Sequence, residues 1–404
     1  MKKKKKEEAK VWLNLLNHLQ QRPTETGIWS EDIFKVFNLI NRYQPEKIIG
    51  KVIEGIPVVV VIHSTKRGTA LGGTRILPYR DMANALRDCL KLSSAMTYKA
   101  IWARLALGGG KAVIWASPSE ITESFLIKYA EFLNEINTCA GCPKVIFITG
   151  EDIGFSEKFA DFVSQYTSHI GGKSINAGGL GDPSPKTAKG IFLAAKAIVE
   201  NGDIFHETMQ GKICAVQGAG KVALPLIDLL LENGCEVYFS ENDGDPAAEK
   251  RAEAAVALGA KRVSKESFFE TKCHIMMPCA IGGVINKSTI PQLSPMCRIV
   301  IGAANNILDT PEDGEELHRK RIFYCPDYVV NRYGLEWVSQ ESRGVTDLKT
   351  AEKNLTDIQS DIVNIYRISR KKGISSAEIA DSISKLVAES QSSIEKAIEE
   401  MLAD

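Results

Sequence analysis

The chain has 404 residues, more than one hydrophobic core usually holds, so its length favours two domains. Lysine plus arginine number 50 and aspartate plus glutamate also number 50, which leaves a formal net charge of zero. Because no overall positive field exists to hold a polyanion, neither nucleic acid nor an anionic membrane surface is an expected partner.

The first 30 residues are predicted to be an extension in front of the folded region. Five lysines follow Met1, but charged residues rather than an apolar segment come next, which is not the pattern of a secretory signal peptide. Apolar residues at helical spacing predict an amphipathic helix for packing or oligomerisation, namely Val11, Leu15, Leu16 and Leu19. No run of about 18 apolar residues occurs, so no membrane span is expected.

The cysteines indicate a reducing compartment. There are nine of them, an odd number scattered along the chain, which is typical of free thiols in a cytoplasmic protein. Cys139 and Cys142 have the spacing of a metal or redox pair, but no second pair or paired histidines follow. We therefore predict structural cysteines, no bound metal and a cytoplasmic location.

An α/β region is predicted from 31 to 175. Its clearest strand is the β-branched run Ile56–Ile62, and apolar spacing predicts a helix near Met82–Tyr98. Another strand, Val145–Thr149, ends beside Glu151 and Asp152. Since α/β proteins usually place ligands at the carboxyl ends of strands, this acidic pair is a candidate site.

A second α/β region is predicted from 176 to 339, after a stretch rich in glycine and proline that is typical of a hinge. Strands and helices alternate in it, which indicates a parallel sheet. The strands are predicted at Ile213–Gln217, Glu236–Ser240, His274–Met277, Arg298–Ile301 and Ile322–Cys325, with helices at Thr187–Val199 and Val222–Asn233. From about Thr350 the chain is predicted to be helical, and 340–404 is assigned to the first domain.

The turn after strand Ile213–Gln217 has the pattern of a dinucleotide-binding loop. A first glycine permits the tight turn, a second lets the backbone approach a pyrophosphate, and a final alanine allows close packing of the next helix. The next strand ends at an acidic residue, which would accept hydrogen bonds from the adenosine ribose and repel a 2′-phosphate. NAD rather than NADP is therefore predicted, bound by Gly218, Ala219, Gly220, Lys221, Val222, Ala223 and Glu241.

Two lysines are candidates for chemistry at a carbonyl or an amine. Lys111 follows three glycines, but Leu105 and Ala112 stand where a P-loop needs glycine and serine or threonine, so this is not a Walker motif. One ammonium of the pair Lys99 and Lys111 can bind a carboxylate while the other handles protons beside Asp152. On spacing alone, two surface lysines are the alternative interpretation.

Eight motifs, in order, resemble those of the Glu/Leu/Phe/Val amino acid dehydrogenases, especially the leucine and phenylalanine branch. The resemblance extends from about residue 33 to residue 390. The motifs are Gly68–Arg75, Met96–Lys99, Leu107–Val113, Gly150–Gly154, Asp182–Thr187, Gly218–Ala223, Pro278–Gly283 and Tyr324–Tyr328.

That resemblance implies a substrate-binding and oligomerisation domain, a Rossmann-like NAD-binding domain, and a homo-oligomer. The implied reaction converts an L-amino acid, water and NAD to a 2-oxo acid, ammonium and NADH, reversibly. Lys111 would activate water, Asp152 would be its proton-transfer partner, and Lys99 would hold the substrate α-carboxylate. Further substrate contacts are implied for Leu71, Gly72, Met96, Asn306 and Val338, and further cofactor contacts for Thr187, Ala280 and Asn306.

The same resemblance gives an expectation for the substrate side chain. Glutamate enzymes of the family carry a lysine in the first glycine motif, where this chain has Leu71, and Val338 stands at another pocket position. A substrate carboxylate facing these two apolar groups would be desolvated without a partner. An apolar amino acid, such as leucine, valine, isoleucine or a phenylalanine-like one, is therefore expected, and glutamate is not.

Five positions depart from the family's pattern. Arg332 and Tyr333 replace small residues, Arg104 stands where glycine is usual, Trp102 where a small residue is usual, and His274 where aspartate is common. These departures leave the size of the pocket open. They also keep an alternative function open: a catalytically impaired member that binds NAD or an amino acid as a sensor or assembly subunit.

Overall fold

A computed structural model describes residues 38–138, 145–202, 204–205, 207–345, 347–390 and 392–403, with the side chains of Ala177 and Ser342 left aside. The predicted extension 1–30 and the pair Cys139 and Cys142 lie outside these ranges. The chain divides into two compact units. Of the described residues, the first unit contains those up to Ala100 and those within Leu105–Gly181 and Val338–Ala351; the second contains those within Ile101–Arg104, Asp182–Trp337 and Glu352–Asp404.

A six-stranded mixed sheet forms the centre of the first unit. Its strands are β1 (Lys47–Ile53), β2 (Ile56–Ser64), β3 (Ala70–Leu71), β4 (Thr74–Leu77), β5 (Gly108–Trp115) and β6 (Phe147–Ile148). The β1–β2 hairpin turns at Glu54 and Gly55, both with positive φ, as a two-residue hairpin turn requires. Strand β2 also pairs antiparallel with β5, whereas β3 and β4 run parallel to β5.

Both faces of this sheet are covered, which explains the unbroken apolar run in β2. Helices α1 (Met82–Trp102), α2 (Glu123–Asn137) and α3 (Glu157–Val163) belong to this part of the chain. Val59 and Val61 of β2 share a buried cluster with the apolar side of α1. Val58 and Val60, which point the other way, lie in a cluster with α2.

A six-stranded sheet forms the centre of the second unit, and it is parallel, as predicted. The strand order is β12-β11-β10-β7-β8-β9. The strands are β7 (Ile213–Gln217), β8 (Glu236–Ser240), β9 (Lys261–Arg262), β10 (Ile275–Pro278), β11 (Ile299–Val300) and β12 (Phe323–Tyr324). Each pair of neighbouring strands in this sheet runs parallel.

The remaining helices follow the hinge region in chain order. They are α4 (Ser184–Asn201), α5 (Ala223–Glu232), α6 (Pro246–Leu258), α7 (Pro311–Arg319), α8 (Asp327–Val330), α9 (Tyr333–Ser339), α10 (Leu348–Lys353), α11 (Ile358–Lys372), α12 (Ser376–Ser390) and α13 (Ile394–Ala403). Both ends of helix α11 are marked in the sequence. Asp357 caps the first N–H groups, and Gly373, with a left-handed φ of 68°, follows the last helical residue.

The structure divides the C-terminal stretch differently from the sequence-based assignment of 340–404 to the first domain. Only Val338–Ala351 belongs to the first unit, whereas Glu352–Asp404 belongs to the second. The reason is packing: α11 lies against α4, and its Tyr366 ring meets Phe323 of β12 edge to face. The division between the units also falls at Gly181 and Asp182, a few residues after the predicted 175 and 176.

Three further results concern the whole described chain. None of its helices is long and apolar enough to cross a membrane. Its cysteines carry free thiols, and burial raises the pKa of Cys279 to about 12. No group of three or more potential metal ligands occurs among the described residues.

Candidate active site

The centre of the candidate site is an ion pair between Lys111 and Asp152. Lys111 lies in β5, and Asp152 follows β6 in the same unit, as the position at a strand end predicted. The Lys111 ammonium donates to Oδ2 of Asp152, and their side chains are 5% and 14% exposed. Burial alone would raise the pKa of Asp152, but Lys111 and Arg75 outweigh it and hold that pKa well below its usual range. Asp152 is therefore a carboxylate at neutral pH.

Two adjacent glycines leave room for this pair. A Cβ on Gly73 would lie 2.9 Å from the Cβ of Asp152 and 3.3 Å from the Lys111 ammonium nitrogen. A Cβ on Gly72 would lie 1.8 Å from the carbonyl oxygen of Gly110, with Met96 Cγ at 3.4 Å. The first glycine motif is thus required for the chain to pass close to β5, the strand that carries Lys111. The predicted substrate residues Gly72 and Met96 are neighbours.

The other predicted substrate residues of the first unit occupy three elements. Leu71 lies in β3, where it pairs with Gly109 of β5. Lys99 lies in α1, one helical turn after Met96, and is 8% exposed. Val338 lies near Gly171, where an added Cβ would be 3.7 Å from the Cγ1 of Val338. Their contacts with a substrate stay predictions.

Arg75 is a site residue to which the sequence interpretation gave no role, although it ends the first glycine motif. Its Nε and Nη2 atoms donate to Oδ2 and Oδ1 of Asp152 at 3.2 and 3.4 Å. Its Nη1 donates to Oδ2 of Asp88 at 3.1 Å, and the Tyr79 hydroxyl donates to the same oxygen at 2.6 Å. The available signal was the single charged residue of the buried strand β4, since a buried charge needs a partner.

The predicted cofactor loop lies in the second unit, between β7 and α5. Gly218 has φ 91°, a left-handed conformation that favours glycine, and a Cβ there would lie 3.1 Å from the Cβ of Ala280. No atom lies within 4 Å of the position of a Cβ on Gly220, and Ala223 is buried at the start of α5. An open backbone in front of a helix N-terminus fits a pyrophosphate. The exposed Lys221 lies beside Asp182, at 4.0 Å, and Val222 precedes the helix.

Glu241 holds the cofactor loop through its own hydrogen bonds. Its Oε2 accepts from the N–H of Ala219 at 3.0 Å and from Nε of Arg251 at 3.3 Å, and its Oε1 accepts from the N–H of Asn242 at 2.8 Å. Burial raises its pKa, but these donors outweigh burial and the net pKa is lowered. The carboxylate is therefore anionic and 7% exposed at the end of β8. Its contact with a ribose stays a prediction.

Thr187 and Asn306 lie in the second unit as well. The Thr187 hydroxyl donates to the carbonyl oxygen of Pro183 at 3.2 Å, and a Cβ on Gly334 would lie 2.4 Å from that hydroxyl. Asn306 has φ 55°, and its N–H donates to Asp327 at 2.9 Å. Both positions are fixed by neighbours, while their orientation of a nicotinamide or a substrate stays a prediction.

Two of the departures from the family pattern meet at one carboxylate. Arg332 is fully buried and donates to Glu336 at 2.9 Å and to Asp361 at 2.7 Å. Arg104 also binds Asp361, at 2.8 and 2.9 Å, and its φ of 54° explains why glycine is usual at this position. Both arginines are therefore used within the second unit to bind a buried aspartate.

The other three departures also have partners in the second unit. Trp102 donates through Nε1 to the hydroxyl of Ser384 at 2.9 Å, and the Tyr333 hydroxyl donates to the carbonyl oxygen of Thr356 at 2.7 Å. Nδ1 of His274 accepts from a backbone N–H at 2.9 Å, as an aspartate could. Burial lowers the pKa of His274, which favours the neutral, accepting ring.

Two family models match the chain, one in each half. Residues 178–392 match the model of the family described as Glutamate/Leucine/Phenylalanine/Valine dehydrogenase. Residues 47–169 match the model described as Glu/Leu/Phe/Val dehydrogenase, dimerisation domain.

Similar proteins carry three different substrate names. An L-tryptophan dehydrogenase of Nostoc punctiforme is 37% identical, over 85% of this chain and 93% of that protein. A leucine dehydrogenase of Geobacillus stearothermophilus is 35% identical, over 81% and 85%. A phenylalanine dehydrogenase of Caldalkalibacillus thermarum is 34% identical, over 85% and 91%.

Solved structures show the same fold. The crystal structure of an L-tryptophan dehydrogenase from Nostoc punctiforme is 32% identical, with a TM-score of 0.66 over 91% of this chain and 99% of that one. A hetero-hexameric glutamate dehydrogenase from Thermus thermophilus, at 19% identity and a TM-score of 0.68 over 94% of this chain and 97% of that one, shares the fold alone.

Proposed function

The chain belongs to the Glu/Leu/Phe/Val dehydrogenase family, whose leucine, phenylalanine and tryptophan members use NAD, and from this premise we propose that it oxidatively deaminates an apolar L-amino acid. The reaction consumes the amino acid, NAD and water and gives the 2-oxo acid, ammonium, NADH and a proton. It runs in either direction.

The observation that carries this proposal is the buried contact between Lys111 and Asp152. Once the α-carbon has been oxidised to an imine, Lys111 can release its own proton to solvent by way of Asp152, take one from the water that attacks the imine carbon, and give that proton to the leaving amine. The ammonium also stabilises the oxygen of the resulting carbinolamine. We place the substrate α-carbon within reach of the Lys111 ammonium.

The binding roles are divided between the two units. Lys99, a mostly buried lysine of α1, would bind the substrate α-carboxylate by charge. The loop Gly218–Ala223 would hold the cofactor pyrophosphate at the start of α5. When bound, the cofactor supplies the hydride acceptor, and the protein supplies orientation and proton transfer.

The proposal of an apolar substrate has two supports. Leu71 stands where a lysine would be needed to pair with a side-chain carboxylate. The names of similar proteins include leucine, phenylalanine and tryptophan dehydrogenases. We further propose a homo-oligomer, supported by the match of residues 47–169 to a dimerisation domain. We also propose a cytoplasmic location, supported by the free thiols of the described cysteines.

The alternative of an impaired sensor subunit is not favoured. It depended on Arg332 and Tyr333, whose side-chain partners are Glu336, Thr356 and Asp361 in the second unit. The lysine and the aspartate expected for turnover are both present and in contact.

Product balance tests the reaction type directly. Incubated with L-leucine, L-phenylalanine or L-tryptophan and NAD, the protein should release ammonium, 2-oxo acid and NADH in equal amounts. Lys111→Ala should reduce turnover by about 1,000-fold or more, because it removes the group that handles protons. NADH binding, measured by fluorescence titration, should persist because the cofactor loop is in the other unit.

Lys128→Ala is the matched control, since Lys128 is an exposed lysine of the same unit that pairs with Glu54. It should keep the wild-type rate. Full activity of Lys111→Ala, or NADH formation without ammonium, would refute the proposed reaction.

A further inference from the structure

We infer that Arg75 is a positioning residue that fixes the orientation and the charge of Asp152 beside Lys111, an inference that rests on the proposed function. Arg75 would act on the reaction through Asp152 without touching the substrate. Asp88, the other partner of Arg75, would set the strength of the effect of Arg75 on Asp152.

Both oxygens of Asp152 are held on two sides. Oδ1 accepts from Nη2 of Arg75 at 3.4 Å and from the N–H of Ile153 at 2.7 Å. Oδ2 accepts from Nε of Arg75 at 3.2 Å and from Lys111. A guanidinium that meets both oxygens of a carboxylate fixes its plane as well as its position. Asp152 therefore presents one defined oxygen to the lysine.

Arg75 is itself held in place from the opposite side. Its Nη1 donates to both oxygens of Asp88, a residue of α1, at 3.1 and 3.4 Å. The Tyr79 hydroxyl donates to Asp88, and Nε1 of Trp115 donates to the Tyr79 carbonyl oxygen at 2.6 Å. The strand, the helix and the loop between them thus form one hydrogen-bonded chain that ends at Lys111.

This hydrogen-bonded series contains two positive and two negative side chains, which balance. Removing any one of these charges therefore shifts the proton affinity of the Lys111–Asp152 pair. Arg75 and Lys111 face Asp152 and Asp88, with Tyr79 and Cys89 as the other titratable neighbours. Burial raises the pKa of Tyr79 and of Cys89, so both are neutral at ordinary pH. Loss of the Arg75 charge makes the pair hold its proton more tightly, and loss of the Asp88 charge has the opposite effect.

The test compares the pH midpoint of amino acid deamination, the pH at which half of the maximal kcat is reached, among variants of the full chain. Arg75→Gln should move the midpoint up by about one pH unit and lower kcat by about 100-fold. Asp88→Asn should move it down by about half a unit. Arg75→Lys, which keeps the charge but loses the two-pronged contact, should restore the midpoint more fully than kcat.

Arg80→Gln is the matched control, because Arg80 is exposed and lies five residues away. It should leave both the midpoint and kcat at their wild-type values. Opposite shifts for Arg75→Gln and Asp88→Asn distinguish a charge effect from loosened packing, which would move neither midpoint in a defined direction. If Arg75→Gln does not fold, Arg75→Lys and Asp88→Asn still decide, and an unchanged midpoint in Asp88→Asn overturns the inference.

A second readout separates this inference from the proposed function. The rate at which acetic anhydride acetylates Lys111, followed against pH by peptide mass spectrometry, reports the same midpoint without turnover. Turnover in the wild type with unshifted midpoints in the variants would overturn the role of Arg75 alone. Shifted acetylation midpoints in a protein that turns over no amino acid would instead overturn the proposed function.

Discussion

At the end of β8, the carboxylate of Glu241 has a structural task in addition to the cofactor contact that we propose for it. It was predicted to face a ribose, and the structure shows it accepting hydrogen bonds from the backbone of Ala219 and Asn242. Since a carboxylate has about four acceptor positions, these bonds leave capacity for a ribose hydroxyl. The same residue can thus order the cofactor loop and select the cofactor.

Cofactor choice should follow from the charge of this residue. The wild type should use NAD at least about 100-fold more efficiently than NADP, because an anionic Glu241 repels a 2′-phosphate. Glu241→Gln keeps an acceptor for Ala219 but removes the charge, so the ratio of kcat/KM for NAD to that for NADP should fall by about 10-fold. Glu253→Gln, an exposed substitution on α6, is the control. Equal efficiency of the wild type with both cofactors would contradict this role.

At the scale of elements, the C-terminal helices are held to the second unit by a buried charge cluster. Asp361 of α11 is 2% exposed and accepts from both Arg104 and Arg332. Arg104 also binds Glu395 in α13, at 2.7 Å. The cluster therefore connects the segment Ile101–Arg104 to two C-terminal helices.

Loss of the central carboxylate should be strongly destabilising. Asp361→Asn leaves two arginines without their shared anion, one of them fully buried, so the free energy of unfolding should fall by about 3 kcal/mol. Asp243→Asn breaks an exposed pair with Arg262 and should change it by less than about 0.5 kcal/mol. Urea unfolding of the three proteins measures both values, and equal stability of Asp361→Asn and the wild type would exclude a structural role for the cluster.

The sequence predicted elements well where local signals were strong. Strands β7 and β8 have the predicted bounds, because each is a short apolar run between turn residues. Strand β5 was not predicted: its Gly108-Gly-Gly110 start has no strand propensity, and only pairing with β2, β3 and β4 makes it extended. The strand predicted over Val145–Thr149 is reduced to Phe147–Ile148, which pairs with the equally short β3.

The candidate site likewise contains residues with a local sequence signal and residues whose roles depend on tertiary packing. The contact between Lys111 and Asp152 could be anticipated because both stand in motifs that are recognisable in sequence. The tight turn after β7 could be anticipated because its first glycine has a geometric cause. Arg75 and Asp88 were missed, since their partnership depends on the packing of β4 against α1. The C-terminal helices were assigned to the first domain because helical periodicity shows which face is apolar, but not which surface covers that face.

At the scale of the molecule, the proposed reaction draws on both units. The predicted residues of the first unit are those of proton transfer and substrate binding, together with Val338, which returns to that unit late in the chain. The cofactor loop, Glu241, Thr187 and Asn306 belong to the second. The zero net charge of the chain does not conflict with the proposed function, because that function depends on a few local charges and not on the overall charge.

The central claim is that this chain is an amino acid dehydrogenase for an apolar side chain, and one comparison of reverse rates tests it most directly. With ammonium and NADH, kcat/KM should be measured for 4-methyl-2-oxopentanoate, phenylpyruvate, indole-3-pyruvate and 2-oxoglutarate. Leu71→Lys serves as the specificity variant, since it should raise the value for 2-oxoglutarate by supplying a cation for its second carboxylate. In the wild type we expect the best apolar acid to exceed 2-oxoglutarate by about 100-fold or more in kcat/KM; a preference for 2-oxoglutarate, or no activity with any of the four, would refute an apolar amino acid dehydrogenase.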